Sequence, residues 1–501
     1  MEWSVNRSRW RKRSPRSKPY FLLILVFLLV LLILLLSSSS DLFRSLLPSK
    51  LDARSRSRAI NCGPRTPYGT NLLAGERFLW YAPHSGFSNQ LSELKNAILF
   101  AAILNRTLIV PPVLDHHAVA LGSCPKFRVT SATDLRAAVW DHVMELIRYR
   151  RYISMADIID LSPIAAGMVK TIDFRVFASL WCGIKMENAC IGKLYSSNDF
   201  SYCRSLLSGL YGNLEKCVYA VKEDCRTTVW TYQQGNDGVL DLFQPDEQLL
   251  KKKKFSYVRK RRDIYKAFGP GSETETTPIL AFGSLFTSPY RGSELYIDIH
   301  EATRDSKIQS LLRKIEFLPF VSEVIVAGNE VARNMIKEPY LCAQLRLLDG
   351  QFKNHWKMTF SELKQKLQSL QVENESKKES NLIHIFIMTD LPQGNWTGTY
   401  LGELAKNTKS YKLHTLHEHD ELVVKTTKKL LRAEHGLHSG FFSRNFVETD
   451  ESFCGSVSFP DILLYIEETV CSCASMGFVG TAGSTIAESI GLMRKNDICR
   501  L

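Results

Sequence analysis

The sequence predicts an α/β protein made of two parallel-sheet halves facing a cleft, set behind an N-terminal membrane span. Three observations lead there. Short apolar runs that read as strands alternate with stretches that repeat apolar residues at helical spacing, in two patches separated by a long middle segment. In both patches the strands end in polar, small-residue turns that open helices, as in a parallel sheet covered on both faces. An unbroken apolar run, Tyr20 to Leu36, follows a basic tail.

As one helix, that run spans roughly 25–30 Å, enough for a thin bilayer. A cleaved signal peptide would carry a shorter apolar core before its cleavage site. Ser37–Ser40 imitates such a site, but the length of the run favours an anchor. Arg7, Arg9, Arg11, Lys12, Arg13, Arg16 and Lys18 precede the span, which places the tail in the cytosol and the rest of the chain in a lumen. The expected organisation is a tail at 1–19, a signal-anchor at 20–40, a stem at 41–74, and two Rossmann-like domains at 75–275 and 276–501. The formal charge of the 501 residues is +13, with most of the excess in the tail and stem. The nearly balanced body argues against a dedicated nucleic-acid binder.

All 12 cysteines follow the span, and an even number in an oxidising compartment points to disulfides. Cys471-Ser-Cys473 lacks the two-residue gap of redox and zinc motifs and reads as a disulfide partner or a core sulfur. Of the sequons, Asn374 and Asn395 sit in polar sequence and are expected to take glycans. Asn105, between a helix and a strand, is expected to be buried.

From Phe78, FLWYA reads as a strand, HSGFSN as a turn, QLSELKNAILFAAIL as a helix and TLIV as a strand closed by Pro111-Pro112, which makes one βαβ unit. Residues 123–275 give little beyond a helix at Leu135–Ile147. Order returns with a strand at Ile279–Phe282, a helix at Ile308–Phe317, and strands ending near Arg346 and at Thr389-Asp390, then another at YKLHTL. The C-terminal unit reads helix (DILLYIEETVCSCA), strand (GFVG), small-residue turn (TAGS), helix (TIAESIGLM).

Ligands of open parallel sheets sit at the carboxyl ends of the strands. Four polar clusters occupy that position: His84–Asn89, Arg346–Asp349, Thr389–Asp390 and Gly480–Thr485. Small residues at 480–485 let backbone N–H groups approach a phosphate at a helix N-terminus, with Ser484 or Thr485 adding a hydroxyl. The plainer reading is an ordinary Ser-capped turn. Arg346 closes an apolar strand, where its planar fork suits a pyrophosphate; the alternative is an internal pair with Asp349 or Asp390. Asp390 either caps a helix or accepts the N1–H and N2–H of guanine. Leu416–Glu421 (LHEHDE) gathers metal-ligand types, but adjacent residues rarely face one ion, so it reads as a surface turn. Lys251–Arg262 reads as a solvated basic loop.

Together the motifs resemble the GDP-fucose protein O-fucosyltransferase family. HSGFSNQLSELKNAILFAAILNRTLIVPP is similar to its first motif, PYLCAQLRLLDG to its His-Leu-Arg motif, and GFVGTAGSTIAESIGLMRKND to its C-terminal nucleotide motif. The resemblance covers roughly residues 75–500. It implies a GT-B-like fold with a nucleotide-sugar-binding C-terminal domain, and inverting transfer of fucose from GDP-fucose to a protein or glycan hydroxyl, with no metal or other cofactor. By position it implies Arg346 at the pyrophosphate and glycosidic oxygen, Gly483, Ser484 and Thr485 at the phosphates, Asp390 at the guanine, and Gly86 with Asn89 beside the fucose. Gln344 stands where the family usually has His, Asp349 lies three rather than four residues after Arg346, and Ile486 replaces an aromatic. No glutamate stands in the first loop, where some members place a general base, so His84 is the nearest substitute. The implied setting is the membrane of the Golgi or endoplasmic reticulum, type II, with the catalytic part luminal. A catalytically silent or calcium-binding regulatory membrane protein on the same fold is the alternative, and a lectin-like scaffold a third.

Overall fold

The structure, a computed structural model, describes residues 62–65, 72–115, 119, 130–165, 167–184, 198–210, 217–223, 228–232, 242–243, 259–286, 305–348, 352, 356–377, 382–438, 440 and 456–500. The tail, the apolar run, most of the stem, Asp349 and most of the Lys251–Arg262 run lie outside the described residues. Among the described residues no helix is long and apolar enough to cross a membrane.

The first half runs β1 (Phe78–Trp80), α1 (Phe87–Ile103), β2 (Thr107–Val110), α2 (Ala132–Arg148), β3 (Thr171–Asp173), α3 (Phe174–Cys182), α4 (Asn198–Ser208) and β4 (Val218–Ala220). Next come β5 (Thr228–Thr231), β6 (Leu242–Phe243), β7 (Arg259–Asp263) and β8 (Ile279–Ala281). The second half runs α5 (Ser306–Glu316), α6 (Ser322–Glu330), β9 (Tyr340–Leu345), α7 (Trp356–Lys377), β10 (Ile383–Thr389) and α8 (Tyr400–Lys406). It ends with β11 (Tyr411–His414), α9 (Glu421–Ala433), α10 (Ile462–Ser472), β12 (Gly477–Gly480) and α11 (Thr485–Lys495).

One sheet has the order β3-β2-β1-β8-β4 and another β11-β10-β9-β12, both parallel throughout. β5, β7 and β6 form a small third sheet. The central strands of both main sheets are buried on both faces, which is why they read as continuous apolar runs. Along β9, Tyr340 and Cys342 enter the core shared by the two halves, while Leu341, Ala343 and Leu345 enter a separate cluster beneath α7 and α8. The side-chain period of two sorts one strand into two layers. β1 divides the same way, with Leu79 in the shared core and Phe78 and Trp80 on the opposite face.

Three expectations change. β8 pairs with β1 and β4, so the strand just after the expected junction at 275/276 completes the first sheet rather than opening the second. The end of the basic run, expected as a loop, forms β7, where Arg262 pairs with Glu223. Asn374 is only 9% exposed on α7, whereas Asn105 is exposed, held at φ +49° in the turn between α1 and β2. Asn tolerates that left-handed geometry, and a turn residue there stands clear of the packed helix. Asn395 is exposed as expected. Disulfides join Cys62 to Cys217, Cys182 to Cys203, Cys342 to Cys471 and Cys473 to Cys499. The third fastens β9 to α10, two elements that build the site.

Candidate active site at the carboxyl ends of both sheets

In each sheet the strand order reverses at one strand. From β1 the chain proceeds to β2 and β3 on one side and to β8 and β4 on the other; from β9 it proceeds to β10 and β11, then crosses to β12. Such switch points leave a crevice at the strands' carboxyl ends. A cavity of about 560 Å³ lies there, bounded by Gly86 and Asn89 from the first half and by Gln344, Arg346, Asp390 and Thr485 from the second.

Register explains why the second-half residues converge. Leu345 stands opposite Thr389, and Gln344 opposite Gly480, so the segments after β9, β10 and β12 leave the sheet side by side. The Arg346 N–H donates to Thr481 Oγ1 at 2.9 Å. Gln344 Oε1 accepts the Thr481 N–H at 3.2 Å, which fastens the turn after β12 to β9. The Arg346 guanidinium lies 5.4 Å from the centre of the Phe352 ring. Asp390 takes a different part from the one expected: its Oδ1 accepts the Leu347 N–H at 2.7 Å and its Oδ2 the Leu348 N–H at 3.1 Å. Both oxygens hold the backbone just after Arg346, while Asp390 itself stays exposed on the cavity.

Thr485 opens α11 and reaches the cavity; Ser484 and Gly483 do not line it. Ser484 is 1% exposed with no hydrogen-bond partner for its hydroxyl, and Gly483 is exposed at φ +74°, where the turn requires glycine. Nor does His84 reach the cavity. Nδ1 lies 2.9 Å from Ser85 Oγ and Nε2 2.7 Å from Ser284 Oγ, and the residue is 2% exposed. Both ring nitrogens are thus engaged by serine hydroxyls, and the ring does not line the cavity where a general base would act. The LHEHDE segment is a surface turn in which the His417 N–H donates to Asp420 Oδ2 at 2.9 Å ahead of α9. Among the described residues no group of three His, Cys, Asp or Glu is arranged to hold a metal.

Sequence reasoning passed over Glu467, which lines the cavity from α10. Its carboxyl keeps some surface on the cavity while protein encloses the rest, and burial together with the neighbouring Glu468 carboxylate holds its pKa well above the usual value. Burial also pushes Glu468 up to about 8, against the opposing effect of its 2.7 Å bond from the Ser489 hydroxyl. Two adjacent acids inside an otherwise apolar helix were the available signal.

Over 438 residues, 86% of this chain and 85% of its relative, the sequence is 57% identical to O-fucosyltransferase 30 of Arabidopsis thaliana. The chain belongs to the O-fucosyltransferase family. No family model matches it. This O-fucosyltransferase-family chain is also similar to a crystal structure of POFUT1 in complex with GDP, at 13% identity and a TM-score of 0.35, covering 84% of this chain and 94% of that one. It is similar to fucosyltransferase NodZ from Bradyrhizobium at 12% identity and a TM-score of 0.31, covering 83% and 92%. Likenesses that distant carry nothing about the site, whose description rests on the residues above.

Proposed function

We propose that this protein transfers fucose from GDP-fucose to a hydroxyl of a protein or glycan acceptor, with inversion, on a GT-B-like pair of Rossmann-like domains. The observation that carries the reading is the meeting of Arg346, Thr485 and Asn89 around one cavity at the switch points of both sheets. The name of its Arabidopsis relative supports the reaction class.

In this reading the acceptor oxygen attacks the anomeric carbon from the face opposite the diphosphate; the carbon–oxygen bond to GDP breaks as the new glycosidic bond forms, and the hydroxyl proton passes to the departing diphosphate. Negative charge grows on the departing diphosphate. The Arg346 guanidinium and the N-terminal N–H groups of α11 meet it, in a site that needs no reorganisation at that moment. Asp390 holds the Arg346 segment in place through Leu347 and Leu348. Glu467 is a second cavity acid besides Asp390 for guanine, its ionised form accepting N1–H and N2–H and its proton lost as the base binds. No divalent cation takes part, because the guanidinium supplies the charge a metal would bring.

The setting proposed is a Golgi or endoplasmic-reticulum lumen behind the Tyr20–Leu36 anchor. The disulfides of the folded part are in keeping with it. The deciding experiment is calorimetric titration of the purified protein with GDP, followed by GDP-fucose turnover with and without EDTA. Failure to bind GDP ends the transferase reading, and reversible loss of turnover on chelation ends the metal-free one. Protease protection in sealed vesicles tests the topology.

A further inference from the structure

α1 begins at the cavity, and its N-terminal half buries three polar side chains on one face. Gln90 and Glu93 are 0% exposed and Asn96 5%, at spacings i, i+3 and i+6. Burying such groups is costly unless each is hydrogen-bonded, and each is. Gln90 Nε2 donates to the carbonyls of Ser85 (2.7 Å) and Leu114 (2.9 Å), while its Oε1 accepts the Leu114 N–H. Asn96 donates to the Leu285 carbonyl at 2.7 Å.

Glu93 sits at the centre. Its Oε2 accepts the His84 N–H at 3.0 Å, and its Oε1 accepts the Ser284 hydroxyl at 2.7 Å while lying 3.1 Å from His84 Nε2. Ser284 Oγ in turn accepts the Phe286 N–H at 3.1 Å. The carboxylate therefore ties the segment leaving β1 to the segment leaving β8, the two strands flanking the first sheet's switch point. Serine, histidine and glutamate together invite a nucleophilic reading, and burial removes it: Ser284 is 3% exposed and its hydroxyl is directed at Glu93.

These bonds converge on a strained turn. Ser85 has φ +64°, a left-handed conformation unfavourable for a residue with a Cβ, which persists only where the surroundings over-determine it. Gly86 and Asn89, which follow, form the first half's wall of the cavity.

We infer that Glu93 is a positioning residue for fucosyl transfer, holding the Ser85–Asn89 turn against the donor through His84 and Ser284. The inference rests on the donor-site reading above, but the geometry of the turn can be tested without it. Diphosphate contacts belong to the other sheet, so displacing this turn moves the sugar end of the site and leaves the nucleotide end alone. A misplacement of about 1 Å costs on the order of 10²-fold in rate.

The test uses Glu93→Gln and Ser284→Ala in the full chain, compared with wild type by GDP titration, GDP-fucose turnover and hydrogen exchange of residues 84–89. Glu93→Gln is expected to lower kcat by about 10–100-fold, with the GDP dissociation constant within about twofold and faster exchange confined to the turn. Ser284→Ala should shift both readouts the same way by a smaller factor. Turnover within about twofold of wild type, or exchange at 84–89 unchanged, overturns the inference. So does a parallel loss of GDP affinity, turnover and thermal stability, the mark of a general core role. If Glu93→Gln does not fold, Ser284→Ala decides by the same criteria. If wild type itself binds no GDP, the donor-site reading fails, and exchange at 84–89 still reports whether Glu93 holds the turn.

Discussion

Asp390 Oδ1 accepts a 2.7 Å hydrogen bond from the backbone N–H of Leu347, the residue that follows Arg346. With Oδ2 on Leu348, one carboxylate at the end of β10 sets the path of the chain leaving β9. We predict that Asp390→Ala costs about 1–2 kcal/mol of stability, since the half-buried Leu347 N–H and the more exposed Leu348 N–H lose a charged acceptor. Turnover should fall by roughly 10²-fold as Arg346 loses its placement. Asp390→Asn, which retains one acceptor oxygen, should fall between it and wild type. Thermal unfolding and kcat on the same preparations check this, and full turnover in the alanine variant would release Asp390 from any part in placing Arg346.

Arg346→Ala is expected to fold and to lose about 10²–10³ in turnover, equivalent to roughly 3–4 kcal/mol of transition-state stabilisation. His417→Ala, on an exposed turn away from the cavity lining, should match wild type. If Arg346 served only as an internal ion-pair partner, its removal would instead lower stability by stranding a carboxylate. Melting temperature and turnover together separate the two, and an unchanged rate would take Arg346 out of the mechanism.

Glu467 should confer a pH dependence on nucleotide binding. Its raised pKa means that, as pH falls toward the usual carboxylate range, the free site fills with the neutral acid. That form offers guanine one acceptor oxygen fewer, so GDP affinity should weaken as pH falls. Glu467→Gln should flatten the dependence and reduce the preference for GDP over IDP, which lacks the N2 amine. Calorimetry at several pH values reads both. A variant that keeps wild-type discrimination would assign guanine recognition elsewhere.

Glu468 bears on stability. Its folded-state pKa is about 8 against 4.5 for the free side chain. Between those values the native protein holds a proton that the unfolded chain has released. The stability this group contributes is therefore fully present below about pH 4.5 and is lost as pH rises toward 8. Glu468→Gln, neutral throughout and able to accept the Ser489 hydroxyl, is expected to melt higher than wild type at pH 8.5 and nearly level with it at pH 5. A constant difference across that range would refute the burial effect.

Most of the strands that build the site were legible because β1, β8, β9 and β10 are buried along nearly their whole length and, with the half-buried β12, read as short apolar runs closed by small or polar residues. The middle segment was not. β3 follows the exposed turn at Gly167, and β7 is written in basic residues, RKRRD, so neither shows an apolar period. α9 mixes lysine and threonine with its leucines and valines, and only Val423, Thr426 and Leu430 are buried there. At the site, Arg346, Asn89, Gly86 and Thr485 were found from their place at strand ends and helix starts. Glu467 was missed because a helix position shows its face only once the neighbouring strands are packed.

By itself, the sequence determined that the chain is α/β, that the strands of its two main sheets are parallel, and that polar residues gather at their carboxyl ends, because side-chain period and turn chemistry are local properties. Only the tertiary structure decided what each polar group does there. Asp390 was free in the sequence to read a base, and in the fold both its oxygens hold backbone N–H groups. His84 was free to act as a base, and in the fold it is enclosed with Glu93 and Ser284, the latter 200 residues away in sequence. The physical reason is common to both. A polar group's role follows from which partners it meets and whether water reaches it, and those are fixed by long-range register and burial.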